Sequence, residues 1–350
     1  MWCLDRRSGL LALGAAFALA LDASAQKAYV TNASSHDVSV IDQATLTLVA
    51  TVPVGLNPSG VAVGPDGARV FVANTGADSL SILGTGSDTV QATIAVGDGP
   101  TSVLASGTRA YTGGTNGLIA VVDLALGEQV ATFTAGAPAS GAVNGLALSP
   151  DGSKLYALWG NLVVLDATSG AILNSVYAGN WTMSLARSPD GARLYVPDAF
   201  GYGEFSFYGS IAVFDAATES VTSVIPTWSM PSSLAIAPQG GRAWLSTPST
   251  FVNTGYGMGY LSSPWVAGVD LEQQSLSGGV NVGAPGAGVA ISPDGTRVFV
   301  AVPTQNRVAV LDAATNALLT SVSVGTGPSG VAVAPLQGKK CRWLPPGARP

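Results

Sequence analysis

Short runs of alternating apolar and polar residues follow one another along nearly the whole chain after residue 27. A period of two is typical of β-strands whose two faces meet different surroundings. Glycine-rich and proline-rich turns separate the runs, as they do between Val61 and Val72. The pattern therefore predicts an all-β protein built from many short strands.

The phrase Ser-Pro-Asp-Gly and its variants mark seven places between these runs. The marks stand at residues 64–67, 105–107, 149–152, 188–191, 237–240, 292–295 and 334–338. In such a turn proline presets φ, aspartate bonds to the local backbone and glycine accepts the left-handed conformation. The marks recur at intervals of roughly 40 to 55 residues with about four strands each, which is the period of a propeller. The sequence therefore predicts one seven-bladed β-propeller of four-stranded antiparallel blades over residues 26–338.

Most units repeat one order of strands and turns. A first strand precedes the Pro-Asp-Gly turn, a second follows it, a third ends in aspartate, and a fourth leads into a Gly-x-x-Pro link. The aspartates that end the third strand are Asp42, Asp123, Asp166, Asp215, Asp270 and Asp312. Because all of them occupy one repeat position, we interpret them as turn formers and not as a catalytic set. Unit two departs from the pattern, with Leu83 and Gly84 where the others have aspartate.

The two ends of the repeat predict how the ring closes. The repeats begin at a second-type strand, residues 28–31, and end with a first-type strand, residues 330–333. One blade should therefore combine the C-terminal inner strand with three N-terminal strands. This arrangement pairs both ends of the chain and leaves no open sheet edge at the seam.

Three motifs together resemble the YVTN-type β-propeller repeat family. They are Tyr29-Val30-Thr31-Asn32, the Val-Ile-Asp ending of the third strand at residues 40–42, and the Pro-Asp-Gly hairpin. The resemblance extends over residues 27–338. It implies the propeller fold and no particular activity, because that family includes many proteins of unassigned activity.

Composition limits the classes of partner. Of the 350 residues 47% are hydrophobic and only 10% are charged, and the formal net charge is −6. Such a balance suits strands that are buried on both faces between blades. No basic cluster lies inside the repeats, so we expect neither nucleic acid nor an anionic membrane surface as a partner. Residues 339–350 break the repeat and contain Cys341, and we predict that they form a disordered tail.

The first 25 residues have the features of a signal peptide. Arg6 and Arg7 precede an apolar stretch at residues 10–21, and residues 23–25 fit a small-residue cleavage site. The apolar stretch is too short to span a bilayer, and a retained anchor helix is the alternative. We therefore expect a periplasmic or secreted protein that is not inserted in a membrane after cleavage of residues 1–25.

Residue types that support catalysis are scarce. His36 is the single histidine, so zinc or copper centres built on several histidines cannot be assembled. Asp198 and Glu204 lie close together in an insertion and are candidate calcium ligands, but no Asp-x-Asp-x-Asp-Gly spacing exists. We therefore predict no catalytic residue, no metal and no cofactor.

Units five and six each carry an aromatic-rich insertion between their second and third strands, at residues 199–209 and 251–265. In a four-stranded meander this loop lies on the same face as the links between blades. The candidate ligand-binding residues on that face are Trp181, Tyr202, Phe205, Tyr208, Trp228, Tyr256, Tyr260 and Trp265. Trp159, in the corresponding place of unit four, is expected to add to the rim. Exposed aromatics on a rigid scaffold suit binding, and the alternative is that the loops pack on one another and cap the channel.

Three classes of function stay open at this point. The preferred class is an exported, non-catalytic propeller that acts as a protein-interaction or scaffold module in the cell envelope. The second class binds a carbohydrate or cell-wall ligand through the aromatic loops. The third is a propeller enzyme, such as a lyase, a lactonase or a quinone-dependent oxidoreductase, which the poverty in histidine disfavours.

Overall fold

The computed structural model describes residues 26–335, with gaps at 98, 137–140, 180, 200–208, 228 and 254–257. It does not describe the side chains of residues 248–253 and 258–263. The predicted signal peptide, residues 1–25, and the predicted tail, residues 339–350, lie outside the described residues.

Seven antiparallel sheets form the seven blades of a β-propeller, which confirms the predicted fold class. We count the blades from the one that contains residue 27 and number the strands in chain order. The innermost strands, from blade 1 to blade 7, are β29 (Pro328–Val333), β4 (Pro58–Val63), β8 (Ser102–Ala105), β12 (Gly145–Leu148), β16 (Ala186–Arg187), β21 (Ser233–Ile236) with the short β20 (Ser229–Met230), and β25 (Val289–Ile291). The second strands are β1 (Lys27–Asn32), β5 (Arg69–Asn74), β9 (Arg109–Gly113), β13 (Lys154–Trp159), β17 (Arg193–Asp198), β22 (Arg242–Asn253) and β26 (Arg297–Val302).

The two outer strands of each blade complete the sheets. The third strands are β2 (Asp37–Asp42), β6 (Ser79–Gly84), β10 (Leu118–Asp123), β14 (Asn161–Asp166), β18 (Ser210–Asp215), β23 (Met258–Asp270) and β27 (Arg307–Asp312). The fourth strands are β3 (Thr47–Pro53), β7 (Thr89–Ala95), β11 (Glu128–Thr134), β15 (Ile172–Val176), β19 (Ser220–Pro226), β24 (Ser275–Asn281) and β28 (Leu318–Ser323). Both β20 and β21 pair with β22, so blade 6 has five strands.

The ring closes by pairing of its two ends, as predicted. Strand β29 is antiparallel to β1 and aligns Val333 with Ala28 and Val331 with Val30. The backbone N–H of Ala334 donates to the carbonyl of Lys27 at 2.9 Å. Blade 1 therefore has the order β29-β1-β2-β3, with its inner strand supplied by the end of the repeats.

The hydrophobic core is divided into seven clusters, one between each pair of neighbouring blades. At the interface of blades 7 and 1, for example, Phe299 and Val310 pack with Ala28 and Ile41. Because the middle strands meet a neighbouring blade on each face, their sequences are nearly continuously apolar.

The second strand of every blade begins with lysine or arginine and has an aromatic residue at its third position. The aromatic residues, all buried, are Tyr29, Phe71, Tyr111, Tyr156, Tyr195, Trp244 and Phe299. In blade 1 the basic and aromatic side chains reach a turn of the next blade. Lys27 Nζ lies 2.6 Å from Asp88 Oδ2, and the Tyr29 hydroxyl donates to Asp88 Oδ1 at 3.2 Å. Burial, reinforced by the Asp88 carboxylate, raises the pKa of Tyr29 well above its usual range.

The aspartates that end the third strands form turns, which confirms the prediction. In all six, one carboxylate oxygen accepts the backbone N–H groups two and three residues further along, and the residue after those has a positive φ. At Asp312 these N···O distances are 3.0 and 2.8 Å. The N–H of Thr315 holds the pKa of Asp312 below its usual value, because it stabilises the ionised carboxylate.

The Pro-Asp-Gly turns have an equally local explanation. The Ser149 hydroxyl donates to Asp151 Oδ1 at 2.5 Å, and Gly152 has a φ of 72°. Glycine is needed at that position because a Cβ disfavours the left-handed conformation. Hydrogen bonds from Ser149 and Ser153 lower the pKa of Asp151 to about 2.

The ring has two faces of different construction. The turn face carries the hairpins between first and second strands, such as residues 64–67, and the turns between third and fourth strands, such as residues 42–47. The loop face carries the loops between second and third strands, such as residues 32–37, and the links between blades, such as residues 53–58. On the loop face the N–H of Asn57 donates to His36 Nδ1 at 3.1 Å, so the single histidine serves a link between blades 1 and 2.

The insertion of blade 6 is not a loop, so that prediction is wrong. Strands β22 and β23 have 12 and 13 residues and pair from Arg242 with Asp270 to Asn253 with Met258, with one shift of register between Thr247 and Ser249. Tyr260 and Trp265 therefore lie on β23. Aromatic and β-branched residues favour strands, and hairpin pairing satisfies the backbone groups that a loop would leave to solvent.

Candidate functional site on the loop face

Charged side chains are distributed unequally between the two faces. Among the described residues, eight of the nine lysines and arginines lie at the turn face, and Arg307 lies at the loop face. The described acidic residues of the loop face are Asp37, Asp78 and Asp198. Each of these four groups is engaged locally: Asp37 accepts from Asn32, Asp78 from the N–H of Gly99, Asp198 from the N–H of Trp181, and Arg307 donates to the carbonyl of Val282. The loop face is therefore nearly free of available charge within the described residues.

Trp181 is an exposed aromatic residue whose backbone is held in place. Its side chain is 54% exposed in the link that enters blade 5. Its N–H donates to Asp198 Oδ1 at 2.7 Å, and its carbonyl accepts the N–H of Ala199 at 3.0 Å. Because Asp198 is fully buried at the end of β17, it fixes the link and presents the indole toward solvent.

Asp198 occupies the repeat position that holds Asn32 in blade 1 and Asn74 in blade 2. In these blades the side chain packs under a glycine of the preceding link. A Cβ added to Gly55 would lie 2.7 Å from Asn74 Cβ, and one added to Gly179 would lie 2.5 Å from Asp198 Cγ. The last residue of the Tyr-Val-Thr-Asn motif is therefore the partner of the link glycine, and Asp198 has the same structural role in blade 5.

Trp265 is the second described aromatic residue of the predicted site. It is 48% exposed on β23. Its carbonyl accepts the Thr247 hydroxyl at 2.9 Å, and its ring lies over Gly279, where an added Cβ would stand 3.3 Å from Cε3. One part of the ring is thus supported by the sheet while the rest meets solvent.

Trp159 ends β13 at the loop face, but its side chain is only partly exposed there. Its indole N–H donates to the carbonyl of Gly141 at 3.0 Å. A Cβ on Gly117 would lie 2.9 Å from the indole nitrogen, and one on Gly136 would collide with the ring. The side chain is half-buried against the core cluster between blades 3 and 4, where it covers glycine-rich loop backbone.

The other predicted binding residues have no described side chains. Tyr202, Phe205, Tyr208, Trp228 and Tyr256 lie outside the described residues, and Tyr260 is described only as part of the backbone of β23. Trp181 and Trp265 are therefore the two predicted residues whose exposure on the loop face is established.

A cavity of about 520 Å³ lies on the ring axis, and none of the predicted site residues lines it. All seven innermost strands, or the residues that lead into them, contribute to its wall. The residues nearest the loop face are Ser59, Thr101, Asn144, Met183, Ser232, Ala287 and Ser329, and the deeper aliphatic residues are Val61, Val103, Leu146, Leu185, Val289 and Val331. No residue of this wall is charged. The recurrence of Pro-Ser-Gly-Val at residues 58–61 and 328–331 is the sequence signal that points to the wall.

The glycines of the wall serve close packing of the innermost strands. A Cβ on Gly60 would lie 2.7 Å from the Thr101 carbonyl oxygen, and one on Gly288 would lie 2.5 Å from that of Ser329. These positions need glycine because the backbone of the next blade approaches so closely.

Polar groups near the wall link neighbouring blades to one another. In each bond a side chain donates to a backbone carbonyl of the next blade. The pairs are Thr31 with Ser59 at 2.8 Å, Thr75 with Pro100 at 2.7 Å, Ser102 with Val143 at 2.6 Å, Asn144 with Thr182 at 2.9 Å, and Ser246 with Ala287 at 2.6 Å. Between blades 7 and 1 the N–H of Gly288 donates to the Ser329 carbonyl at 2.8 Å. Most hydroxyls at the axis therefore have a structural partner.

The described residues contain no group of three or more His, Cys, Asp and Glu side chains placed to hold a metal ion. Glu204, the predicted companion of Asp198, lies outside the described residues. In the part of the chain that the structure describes, no helix has the length and apolar character needed to cross a membrane.

Comparison with known proteins identifies the fold and does not identify an activity. No family model and no curated protein matches the chain. A hydrazine synthase structure from Kuenenia stuttgartiensis shares 21% identity and a TM-score of 0.66, over 81% of this chain and 91% of that one. A putative 6-phosphogluconolactonase from Bacteroides uniformis shares 18% identity and a TM-score of 0.67, over 88% and 99%. A functionally unknown protein from Desulfotomaculum acetoxidans shares 14% identity and a TM-score of 0.71, also over 88% and 99%. At these identities the likeness shows the propeller fold alone.

Proposed function

We propose that the chain is an exported, non-catalytic β-propeller that acts as a binding module of the cell envelope through the loop face of blades 5 and 6. The observation that carries the proposal is the exposure of Trp181 and Trp265 on a face whose described residues include only four charged side chains, each with a local partner. Aromatic residues are enriched and charged residues depleted at the centre of protein interfaces. This combination supports a protein-interaction or scaffold role.

A glycan partner is the second candidate, and the same two side chains favour it. A half-exposed indole that is held from below offers a flat apolar surface with an N–H at its edge. Sugar rings can stack on such a surface. Both candidates predict that the loop face, and not the turn face, makes the contact.

An enzymatic role receives less support from the described residues. One structural neighbour is a putative 6-phosphogluconolactonase, and a phosphorylated substrate of that class would call for cationic groups. The wall of the axial cavity holds no lysine, arginine or histidine and no carboxylate. Hydroxyls and amides of this kind suit binding better than proton transfer near neutral pH.

Export rests on the predicted signal peptide, residues 1–25, and the YVTN-type assignment rests on its motifs. Mass spectrometry of the periplasmic or secreted form should find a chain that begins at Gln26. Recovery of the intact chain from the cytoplasm alone would contradict this localisation.

Site-specific photo-crosslinking tests the contact surface. A crosslinking amino acid replaces Trp265 on the loop face or, as the matched control, Leu126, which is 66% exposed on the turn face. In native envelope preparations a discrete adduct should form from position 265 and not from position 126. Equal labelling at both positions, or adducts from position 126 alone, would overturn the proposed face. A glycan array with the wild type and Trp265→Ala then separates the two candidates.

A further inference from the structure

We propose that a cleft on the turn face, lined by the innermost strands of blades 3, 4 and 5, binds a small aliphatic carboxylate. The cleft has a volume of about 450 Å³. Two departures from the repeat meet in it, a shortened turn in blade 3 and an arginine in blade 5. Because the cleft opens on the turn face, this inference is independent of the contact proposed for the loop face.

The shortened turn of blade 3 makes room for the cleft. In blade 4 the N–H of Ser149 donates to the carbonyl of Lys154, five positions further along, and the turns of blades 2, 5, 6 and 7 repeat this spacing. In blade 3 the corresponding bond runs from Ser106 to Arg109, only three positions further along. The blade 3 turn is therefore two residues shorter, and Pro150 of the full-length blade 4 turn lines the space beside it.

Arg187 is the departure in blade 5. On the innermost strand it pairs with Leu194, the second residue of the second strand, and the residues with that pairing in the other six blades are aliphatic. They are Val333, Val63, Ala105, Leu148, Ile236 and Ile291, in blades 1, 2, 3, 4, 6 and 7. All six pack on the core between their own blade and the preceding one. The packing role of this repeat position therefore does not account for Arg187.

The guanidinium of Arg187 is accessible and lacks a counter-charge. Its side chain is exposed, and neither of the two ion pairs among the described residues includes it. A Cβ added to Gly191 would lie 2.9 Å from Arg187 Nη1 and would collide with Pro150, so this group stands where the turns of blades 4 and 5 meet. Arg193, another exposed arginine of blade 5, differs. A serine hydroxyl of the turn and then the charge of Arg193 hold the pKa of Asp190 below its usual value.

The lining of the cleft selects an anion with an apolar body. It includes the partly buried side chains of Leu104, Leu146, Leu148 and Leu185. A carboxylate can accept two parallel hydrogen bonds from a guanidinium, and a hydrocarbon chain attached to it can cover aliphatic surface that otherwise meets water. An aliphatic carboxylate combines these two features, whereas a neutral polar ligand would leave the charge of Arg187 unused.

Asp151 is the acidic residue of the cleft, and its own turn occupies it. The hydroxyls of Ser149 and Ser153 donate to its two carboxylate oxygens at 2.5 and 2.8 Å. Asp294 accepts from two hydroxyls of its turn in the same way in blade 7, so this is a turn role and not a binding role. The charge of Asp151 disfavours further negative charge nearby, which favours a ligand with a single carboxylate.

Ligand-observed NMR and titration calorimetry on the folded wild-type chain test the site. The probe is hexanoate. Its matched probes are hexanamide, which is neutral, hexylamine, which is cationic, and acetate, which lacks the hydrocarbon chain. The variants are Arg187→Leu, which restores the residue type of the other six blades, and the matched control Arg193→Leu, which removes an exposed arginine of blade 5 that does not line the cleft.

We expect hexanoate to bind more tightly than the three other probes. Arg187→Leu should weaken hexanoate about three- to tenfold, as for the loss of one partly exposed charge-assisted pair, and Arg193→Leu should bind as the wild type does. The comparison of probes on the wild type does not depend on the folding of either variant. The proposal is overturned if hexanoate does not bind, if hexanamide binds as tightly, or if the two variants bind hexanoate alike.

Discussion

The turn face and the loop face of this propeller follow different rules. On the turn face the same residues recur in blade after blade, and nearly every one has a local partner: six aspartates hold turns, and basic residues begin all seven second strands. On the loop face the repeat is interrupted. Blade 6 extends a hairpin, and two tryptophans are exposed. Residues that recur build the ring, whereas residues that occur once are the candidates for function.

Deletion of residues 328–350 should have the largest effect, because both faces depend on the closed ring. It removes β29, the inner strand of blade 1, and exposes the edge of β1. We expect loss of cooperative unfolding, measured by circular dichroism during heating. Deletion of residues 339–350 alone should leave the melting temperature almost unchanged. A longer deletion that still melts like the wild type would show that the ring does not depend on this closure.

Alanine substitution of tryptophan on the two faces should differ strongly in cost. Trp244 is buried, and its indole N–H donates to Asn316 on the turn face at 2.9 Å. Trp244→Ala should lower the free energy of unfolding by about 3–5 kcal/mol. Trp265→Ala and Trp181→Ala should cost about 0.5 kcal/mol each, as exposed positions do. Denaturant unfolding measures all three, and large losses at Trp181 and Trp265 would mean that they are part of the core.

Two ion pairs occupy the same repeat position on the turn face and differ in the exposure of their side chains. The side chains of Lys27 and Asp88 are each only 17% exposed, whereas those of Lys154 and Glu219 are 36% and 21% exposed. Lys27→Ala would leave Asp88 partly buried without its cation, and we expect a loss of about 3 kcal/mol. Lys154→Ala should cost at most about 1 kcal/mol, because solvent screens that pair. Equal losses in denaturant unfolding would show that burial does not govern these pairs.

Acid should destabilise the protein through the aspartates of the turn face. The pKa values of Asp123, Asp166, Asp215 and Asp312 are lowered in the folded protein, first of all by backbone N–H groups of their own turns. A lowered folded pKa contributes stability that is present above the ordinary value and is lost as the pH falls through the folded value. The melting temperature should therefore fall as the pH drops below about 4, and the Asp151 carboxyl, whose pKa in the folded protein is about 2, extends that fall toward pH 2.

Asparagine at these turns is the matched control for the acid effect. Asp312→Asn keeps a side-chain oxygen that can accept the turn N–H groups and removes the titrating proton. Each such substitution should make the fall of the melting temperature below pH 4 shallower. An unchanged pH profile in a variant with several of these substitutions would contradict the assignment to the turns.

The fold could be predicted because each unit repeats its own turn chemistry. Proline, aspartate and glycine at fixed positions in each unit determine the hairpins. The repeats begin at a second strand and end at a first strand, and this shift determines how the ring closes. The blade 6 hairpin was missed because Pro248, Pro264 and several glycines resemble loop sequence. Whether two neighbouring segments pair depends on contacts in the folded protein, which the residue pattern does not record. Propensity alone does not decide such cases.

The candidate site was only partly predictable. Meander topology was enough to assign Trp181 and Trp265 to the loop face. The axial cavity was not, because its wall consists of single residues from seven separate units, and each has an ordinary role in its own strand. The role of Asp198 could have been found by aligning the sixth residue of the second strands, where Asn32 and Asn74 each pack against a glycine of the link before their own blade, Gly325 and Gly55.

Closure of blade 1 has a consequence for the order of events during synthesis. Thr31 and Gly330, which meet across the seam, are separated by 299 positions in the chain. At about 5–20 residues per second, the ribosome needs on the order of 15–60 s to produce the strand that β1 awaits. Throughout that interval the newborn chain carries an unpaired strand edge, and Ala28 and Val30 on β1 lack their packing partners in blade 7. A chaperone that shields this edge would therefore act on the oldest part of the protein until the last blade is made.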